Sequence, residues 1–135
     1  MRKFITILFL ASCCCFNPIA QAAEWVEISP NTYMDKSSYE YNSETKIARV
    51  WIKMINSEHS EMEKIIGKEV GHLVACEELD CARKQRRPIS IVAYDTQSKI
   101  LDSYDNPLSP WINIVPNSRF EPWYQLACDP KMTKD

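Results

Sequence analysis

The sequence predicts an α+β domain: an antiparallel β-sheet of about six short strands with one C-terminal α-helix. Three observations predict it. KIARVWIKMIN, residues 46–56, alternates with period two and is rich in β-branched and aromatic residues, the pattern of a half-buried strand. SRFEPWYQLAC, residues 118–128, sets Phe120, Trp123, Tyr124 and Ala127 at helical spacing behind a Ser118-x-x-Glu121 capping box. Nothing alternates strand with helix in the βαβ manner, so a nucleotide-binding parallel sheet is not expected.

In chain order, residues 1–22 read as a secretory signal peptide. Arg2 and Lys3 precede an apolar run from Phe4 to Ala11, Pro18 ends any helix, and Ala20-Gln21-Ala22 is a small-x-small cleavage site before Ala23. A membrane span needs roughly 20 apolar residues, and Asn17, Pro18 and Gln21 interrupt this run too early. Leu10-Ala11-Ser12-Cys13 also resembles a bacterial lipobox. Cleavage before Ala23 is the expectation, and membrane attachment is expected only if Cys13 is lipidated.

Removing 22 of the 135 residues leaves 113, read as one domain over 23–135. The formal net charge of −2 falls by the two leader cations to −4, which argues against a globally basic nucleic-acid binder.

EWVEIS (24–29) alternates and ends at Ser29-Pro30, a first strand. NTYMDKSSYEYNSE (31–44) sets Tyr33, Tyr39 and Tyr41 among turn formers, giving a short second strand and a loop around Asn42-Ser43. In the strand over 46–56, Ile47, Arg49, Trp51 and Lys53 share one face, and Ala48, Val50, Ile52 and Met54 share the other. The next segment breaks the pattern. Ser60 with Glu63 is a capping box and Met62, Ile65 and Ile66 share a helical face, so a short helix or mobile excursion is expected. Both glycines, Gly67 and Gly71, fall here, where unusual backbone angles are expected.

HLVACEELDCARKQRR (72–87) reads as a long strand. Asp95-Thr96-Gln97-Ser98 is a glycine-free hairpin turn joining strands over 89–94 and 99–104. Pro107 and Pro110 punctuate a loop, and PWINIVP (110–116) offers one more short extended piece carrying Trp111, Ile112, Ile114 and Val115.

Of six cysteines, Cys13, Cys14 and Cys15 belong to the leader, so export leaves Cys76, Cys81 and Cys128 where disulfides form. A Cys81–Cys128 bridge would close a long loop, a constraint of roughly 4 kcal/mol in the chain-entropy model. The rival Cys76–Cys81 would constrain little, and in one strand an odd separation points the two side chains to opposite faces. The first pairing is favoured, with Cys76 free or buried. A zinc site from Cys76, Cys81, His72 and His59 is the sharper alternative, but its spacing matches no C-x₂₋₄-C pair. A catalytic cysteine needs a histidine partner in space, and both histidines lie at the uncertain excursion.

The run RKQRR is locally basic within an acidic chain. As an edge strand its cations would repel edge-to-edge association. As a site, Arg83, Lys84, Arg86 and Arg87 would form an exposed basic strand for a protein or polyanionic partner, or for lipid headgroups. In a strand Arg83 and Arg87 share the Cys81 face, which leaves Lys84 and Arg86 as the expected solvent-facing pair. Nucleic acid is not expected, because no aromatic side chains interleave this run. Pairing with Glu77, Glu78 and Asp80 is the plainer reading of the same arginines and the preferred one. No Ser/His/Asp set, phosphate loop or calcium loop stands out, and no cofactor, metal or catalytic residue is expected.

These landmarks, taken in order, resemble the surface-adhesin protein E family of Gram-negative bacteria. The matching residues are Trp25, Tyr33-x-Asp35-x-x-Ser38, Val50-Trp51-x-Lys53, Asp80-Cys81 followed by Arg86, Tyr94-Asp95, Trp111-x-x-Ile114-x-Pro116-x-Ser118, and Cys128. The resemblance runs over about residues 24 to 128. It implies a small exported domain of antiparallel sheet and C-terminal helix carrying the Cys81–Cys128 bridge. It also implies location in the periplasm or at the outer-membrane surface. The family's namesake is an adhesin for host matrix and serum proteins such as vitronectin and laminin. The expectation is therefore an exported, non-enzymatic binding module. The alternative is a periplasmic structural or accessory protein of an envelope assembly.

Overall fold

The computed structural model describes residues 22–55 and 67–133; the expected leader, Cys13 and the short helix expected from Ser60 lie outside the described residues. Eight strands follow one another: β1 (Trp25–Ser29), β2 (Thr32–Asp35), β3 (Glu40–Asn42), β4 (Ile47–Ile55), β5 (His72–Asp80), β6 (Gln85–Tyr94), β7 (Ile100–Asp105) and β8 (Ile112–Asn113). A 3₁₀ turn, Lys36–Ser38, separates β2 from β3, and α1 (Glu121–Ala127) is the one α-helix among the described residues. The strands form a single antiparallel sheet in the order β1-β2-β4-β5-β6-β7. Two short strands flank this six-strand path, β3 beside β4 and β8 beside β6.

The alternation in β4 sets the layering. Ala48, Val50 and Ile52 are fully buried on one face, and α1 lays Trp123 and Ala127 over that same face. Met34, Leu79 and Ile114 complete the cluster. A large aromatic buries about 150–250 Å², so Trp123 alone contributes on the order of 4–6 kcal/mol as an upper bound. The Cys81–Cys128 disulfide ties the end of β5 to the end of α1, with Cα atoms 5.5 Å apart. Two tyrosines hold the same joint: Tyr39 Oη donates to the Ala127 carbonyl (2.7 Å) and Tyr124 Oη to the Cys81 carbonyl (3.1 Å).

Three hairpins turn without glycine by one device. At each entrance an Asx side chain accepts backbone N–H groups, and at each exit a non-glycine residue takes positive φ. Asn42 Oδ1 accepts from Glu44 and Thr45 ahead of Lys46 (φ 60°). Asp80 Oδ1 accepts from Ala82 and Arg83 ahead of Lys84 (φ 53°). Asp95 Oδ1 accepts from Gln97 and Lys99 around Ser98 (φ 64°). The side-chain acceptors hold a backbone that would otherwise ask for glycine.

Three expectations change. Residues 72–87 are not one strand, because the Asp80 turn ends β5 and β6 begins only at Gln85. The capping box is displaced: α1 starts at Glu121 behind Phe120, which gives no side-chain cap, and the Glu121 carboxylate accepts from Asn117 N–H (2.7 Å). Pro122 then occupies the first turn, where its missing N–H costs nothing. Gly67 does use positive φ (71°), but Gly71 serves space instead: a Cβ there would sit 2.5 Å from the Asp95 carbonyl oxygen.

Candidate functional site

Arg83, Lys84, Arg86 and Arg87 do not form an exposed basic strand. Arg83 and Lys84 lie in the turn between β5 and β6. Arg86 stands opposite Leu79 on the α1 face. Its Nη1 donates to both oxygens of Glu77 (3.1 and 2.9 Å), and its guanidinium lies 3.6 Å from the Phe120 ring centre. Its side chain is only 13% exposed, which overturns the expectation that it faces solvent with Lys84. Arg87 takes the opposite face, donating Nε and Nη2 to Glu78 Oε2 (3.0 and 2.9 Å) and resting 4.3 Å from the Trp111 ring centre. Lys84 reaches Glu121 at 3.1 Å. Arg83 alone stays largely free, 74% exposed and 4.0 Å from Asp80. Cross-strand pairing explains the change: the turn folds a basic segment back onto an acidic one, so cations meet carboxylates nine residues earlier.

The two carboxylates respond oppositely. Burial pushes the Glu77 carboxyl above its ordinary value, with the Arg86 charge and hydrogen bonds only partly opposing it. Burial also acts on Glu78, but hydrogen bonds from Arg49 (2.8 Å) and Arg87 outweigh it and hold that carboxyl below its ordinary value.

Cys76 is buried opposite Trp51 and Ser90, and burial pushes its thiol up to about 11. A thiol this basic is a poor nucleophile at neutral pH. Cys81 is committed to the disulfide, so the zinc set of Cys76, Cys81 and His72 does not form. His72 stacks instead on Tyr94, ring centres 4.5 Å apart. Among the described residues no group of three or more His, Cys, Asp or Glu side chains is placed to hold a metal ion.

Among the depressions of the described residues, one of about 510 Å³ lies between β1 and α1, and two others bear on the sheet. One, about 770 Å³, lies beside β3 and β4; the charges of Arg49 and Arg87 in its lining meet those of Glu40, Glu44 and Glu78. The other, about 360 Å³, is apolar and is lined chiefly by Pro88, Ile91, Ala93, Tyr104, Pro110 and Ile112. Its surroundings are unusual. Of the six large apolar side chains exposed among the described residues, five fall between 100 and 115: Ile100, Tyr104, Leu108, Ile112 and Val115. Leu108 is 84% exposed. For Tyr104 and Ile112 the cause is the reach of α1, which packs on side chains of β1, β2, β4 and β5, meets β6 only at Arg86 beneath the preceding Phe120, and stops short of β7. Tyr104 and Ile112 line this depression and Leu108 directly precedes its lining residues Ser109 and Pro110; exposed apolar side chains beside a concavity mark an interaction surface. Sequence reasoning passed over this one, though Leu108 and Val115 carried a signal: they are apolar residues in a proline-punctuated stretch with no periodicity to take them into a core.

A model of the family described as Surface-adhesin protein E matches residues 25–129. Among solved structures, Haemophilus influenzae protein E superposes with a TM-score of 0.54 at 11% identity, over 87% of this chain and 93% of that one. Its crystal form II gives 0.53 at 10% identity, over 82% and 91%. Protein E from non-typeable Haemophilus influenzae gives 0.51 at 12% identity, over 82% and 79%. At such identities the likeness is one of fold. No sequence among the curated proteins matches the chain. The family match covers the whole sheet and the helix, and the chain belongs to the surface-adhesin protein E family.

Proposed function

We propose that this chain is an exported, non-enzymatic binding module of the Gram-negative envelope that engages a macromolecular partner in the manner of an adhesin. The observation that carries this reading is the apolar depression of about 360 Å³ beside β7, lined by the exposed Tyr104 and Ile112, with the exposed Leu108 next in the chain to its lining residue Ser109. Family membership supports the exported, adhesin-like setting. A polyanion-binding role would have to rest chiefly on Arg83, since Lys84, Arg86 and Arg87 are each matched by a carboxylate at 3.1 Å or closer. Salt-sensitive heparin retention lost on Arg83→Ala tests that second reading.

The edge reading is tested by capturing matrix or serum proteins on intact cells bearing the wild-type chain or Leu108→Lys/Ile112→Lys. Capture lost in the variant supports an adhesin acting through this surface. If antibody reaches the protein only after the outer membrane is broken, the role becomes that of a periplasmic accessory protein, and host adhesion is excluded.

A further inference from the structure

We infer that the free edge of β7 is a strand-docking site for an extended, lysine- or arginine-bearing peptide segment of a partner. The segment would pair with the β7 backbone and place an apolar side chain in the adjoining cavity. This deepens the reading of the apolar edge and rests on it.

The backbone supplies the first part of the case. Among the described residues β7 is terminal in the sheet order and pairs with β6 alone. Natural edge strands are usually blunted by charge, proline, a bulge or a covering element. Ile100–Asp105 has no proline or lysine, its register shift is confined to the Ile100 end, and its charges, Asp102 and Asp105, repel like strands but not a cationic one. Asn106 N–H donates inward to the Ile89 carbonyl (2.9 Å), so by the alternation of the ladder the Ser103 and Asp105 amides point off the edge. Ser103 N–H is occupied only locally, by the carboxylate of Asp102 (2.8 Å). An incoming strand replaces that contact with a carbonyl and frees Asp102 for a cation.

The side chains supply the second part. Asp102 and Tyr104 lie on the cavity side of β7, opposite Ala93 and Ile91. A strand docked about 4.8 Å away directs every second side chain over the same cavity. Strand addition works in this way, with backbone bonds giving affinity and pockets for alternate side chains giving specificity. Residues 100–110 carry Asp102 and Asp105 and no basic side chain, so the edge selects a cationic segment. The same charges disfavour a second copy of this chain, because β7 against β7 sets acidic strands side by side.

The probe is a fluorescent heptapeptide alternating lysine with isoleucine, and a glutamate–isoleucine peptide is its control. Anisotropy should report binding of the lysine peptide only. Affinity should fall at least about tenfold in Asp102→Lys/Asp105→Lys and in Ser103→Pro. Ser103→Pro removes an outward N–H that the sheet does not use, and circular dichroism checks that it folds. Amide exchange should slow at Ser103 and Asp105 when the lysine peptide is added. Failure of the lysine peptide to bind, equal binding of the glutamate peptide, unchanged Ser103 exchange, or a dimer protected along β7 without peptide would each overturn the inference. If intact-cell capture still depends on Leu108 and Ile112 in that event, the reading of the apolar edge stands. If capture ignores them as well, both fall.

Discussion

Glu77 and Glu78 are adjacent on β5, yet they sit in two different electrostatic worlds. Glu77 points into the layer under α1, 3% exposed at the side chain, with Arg86 as its ion-pair partner. Glu78 points to the face that α1 does not cover, where Arg49 and Arg87 both bind it. In the dry layer burial outweighs Arg86 and the more distant charge of Arg119 and leaves the Glu77 carboxyl with a raised pKa, whereas hydrogen bonds from two arginines nearer solvent leave its neighbour with a lowered one. The difference teaches that a salt bridge's contribution depends on which face of a strand holds it. The buried pair is costly to break and contributes little when intact, because desolvation offsets its attraction. The outer triad is held by more partners but softened by solvent, since Arg49 is 51% exposed.

The largest test breaks the inner pair. Arg86→Ala should destabilise the fold by about 3–5 kcal/mol by stranding Glu77, read as a fall in urea midpoint at constant slope. Replacing both partners, Glu77→Met with Arg86→Leu, should be neutral or stabilising by about 1–4 kcal/mol. A double variant as unstable as the single would mean that the pair itself holds the layer together.

Next is the joint that keeps the layer closed. Cys128→Ser should cost about 2–5 kcal/mol, and non-reducing peptide mapping of the wild type should return Cys81 linked to Cys128, with Cys76 as the free thiol among the described residues. Recovery of Cys76 in the linkage would overturn the pairing.

Glu78→Gln should cost about 1 kcal/mol, well below the inner pair. The two faces should also differ in pH response. Glu78, with its lowered folded pKa, contributes stability that is present above the ordinary carboxyl value of 4.5 and is lost as pH falls through the folded value. Glu77, with its raised folded pKa, does the reverse: the folded state binds that proton more tightly, so stability falls as pH rises from 4.5 through the folded value. Glu78→Gln should therefore flatten the acid-side loss, whereas Glu77→Gln should remove the opposing slope. Urea midpoints across the acid range read both, and parallel profiles for the two variants would contradict the assignment. The smallest effect is at Cys76, whose buried thiol should resist alkylation in the folded protein at neutral pH and react on unfolding.

Period-two alternation in residues 47–55 was enough to specify both the strand and its buried face, because side-chain direction in a strand is a local property. The helical spacing of Trp123 and Ala127 likewise named the residues that α1 buries, while the start of α1 moved to Glu121 once Asn117 turned the chain at φ 61°. Asp95 through Ser98 marked a hairpin without glycine. Asp80 carried the same Asx signal, and reading it would have ended β5 on time and taken Arg83 and Lys84 out of the strand.

The sequence by itself determined the strand over 47–55, the glycine-free hairpin at Asp95 and the buried residues of the terminal helix, since each depends on neighbours a few positions away. Only the tertiary structure decided which charges are free. Arg86 and Arg87 look alike in sequence, but one lies against Phe120 under α1 and the other against Trp111 on the outer face. Pro88 and an extra residue, Ile89, bulge β6 between Glu77 and Cys76 and so fix the register of those pairs. The open edge at β7 is likewise a matter of reach: α1 is tethered at Cys81, and a short helix held there cannot extend across the sheet to cover Tyr104 and Ile112.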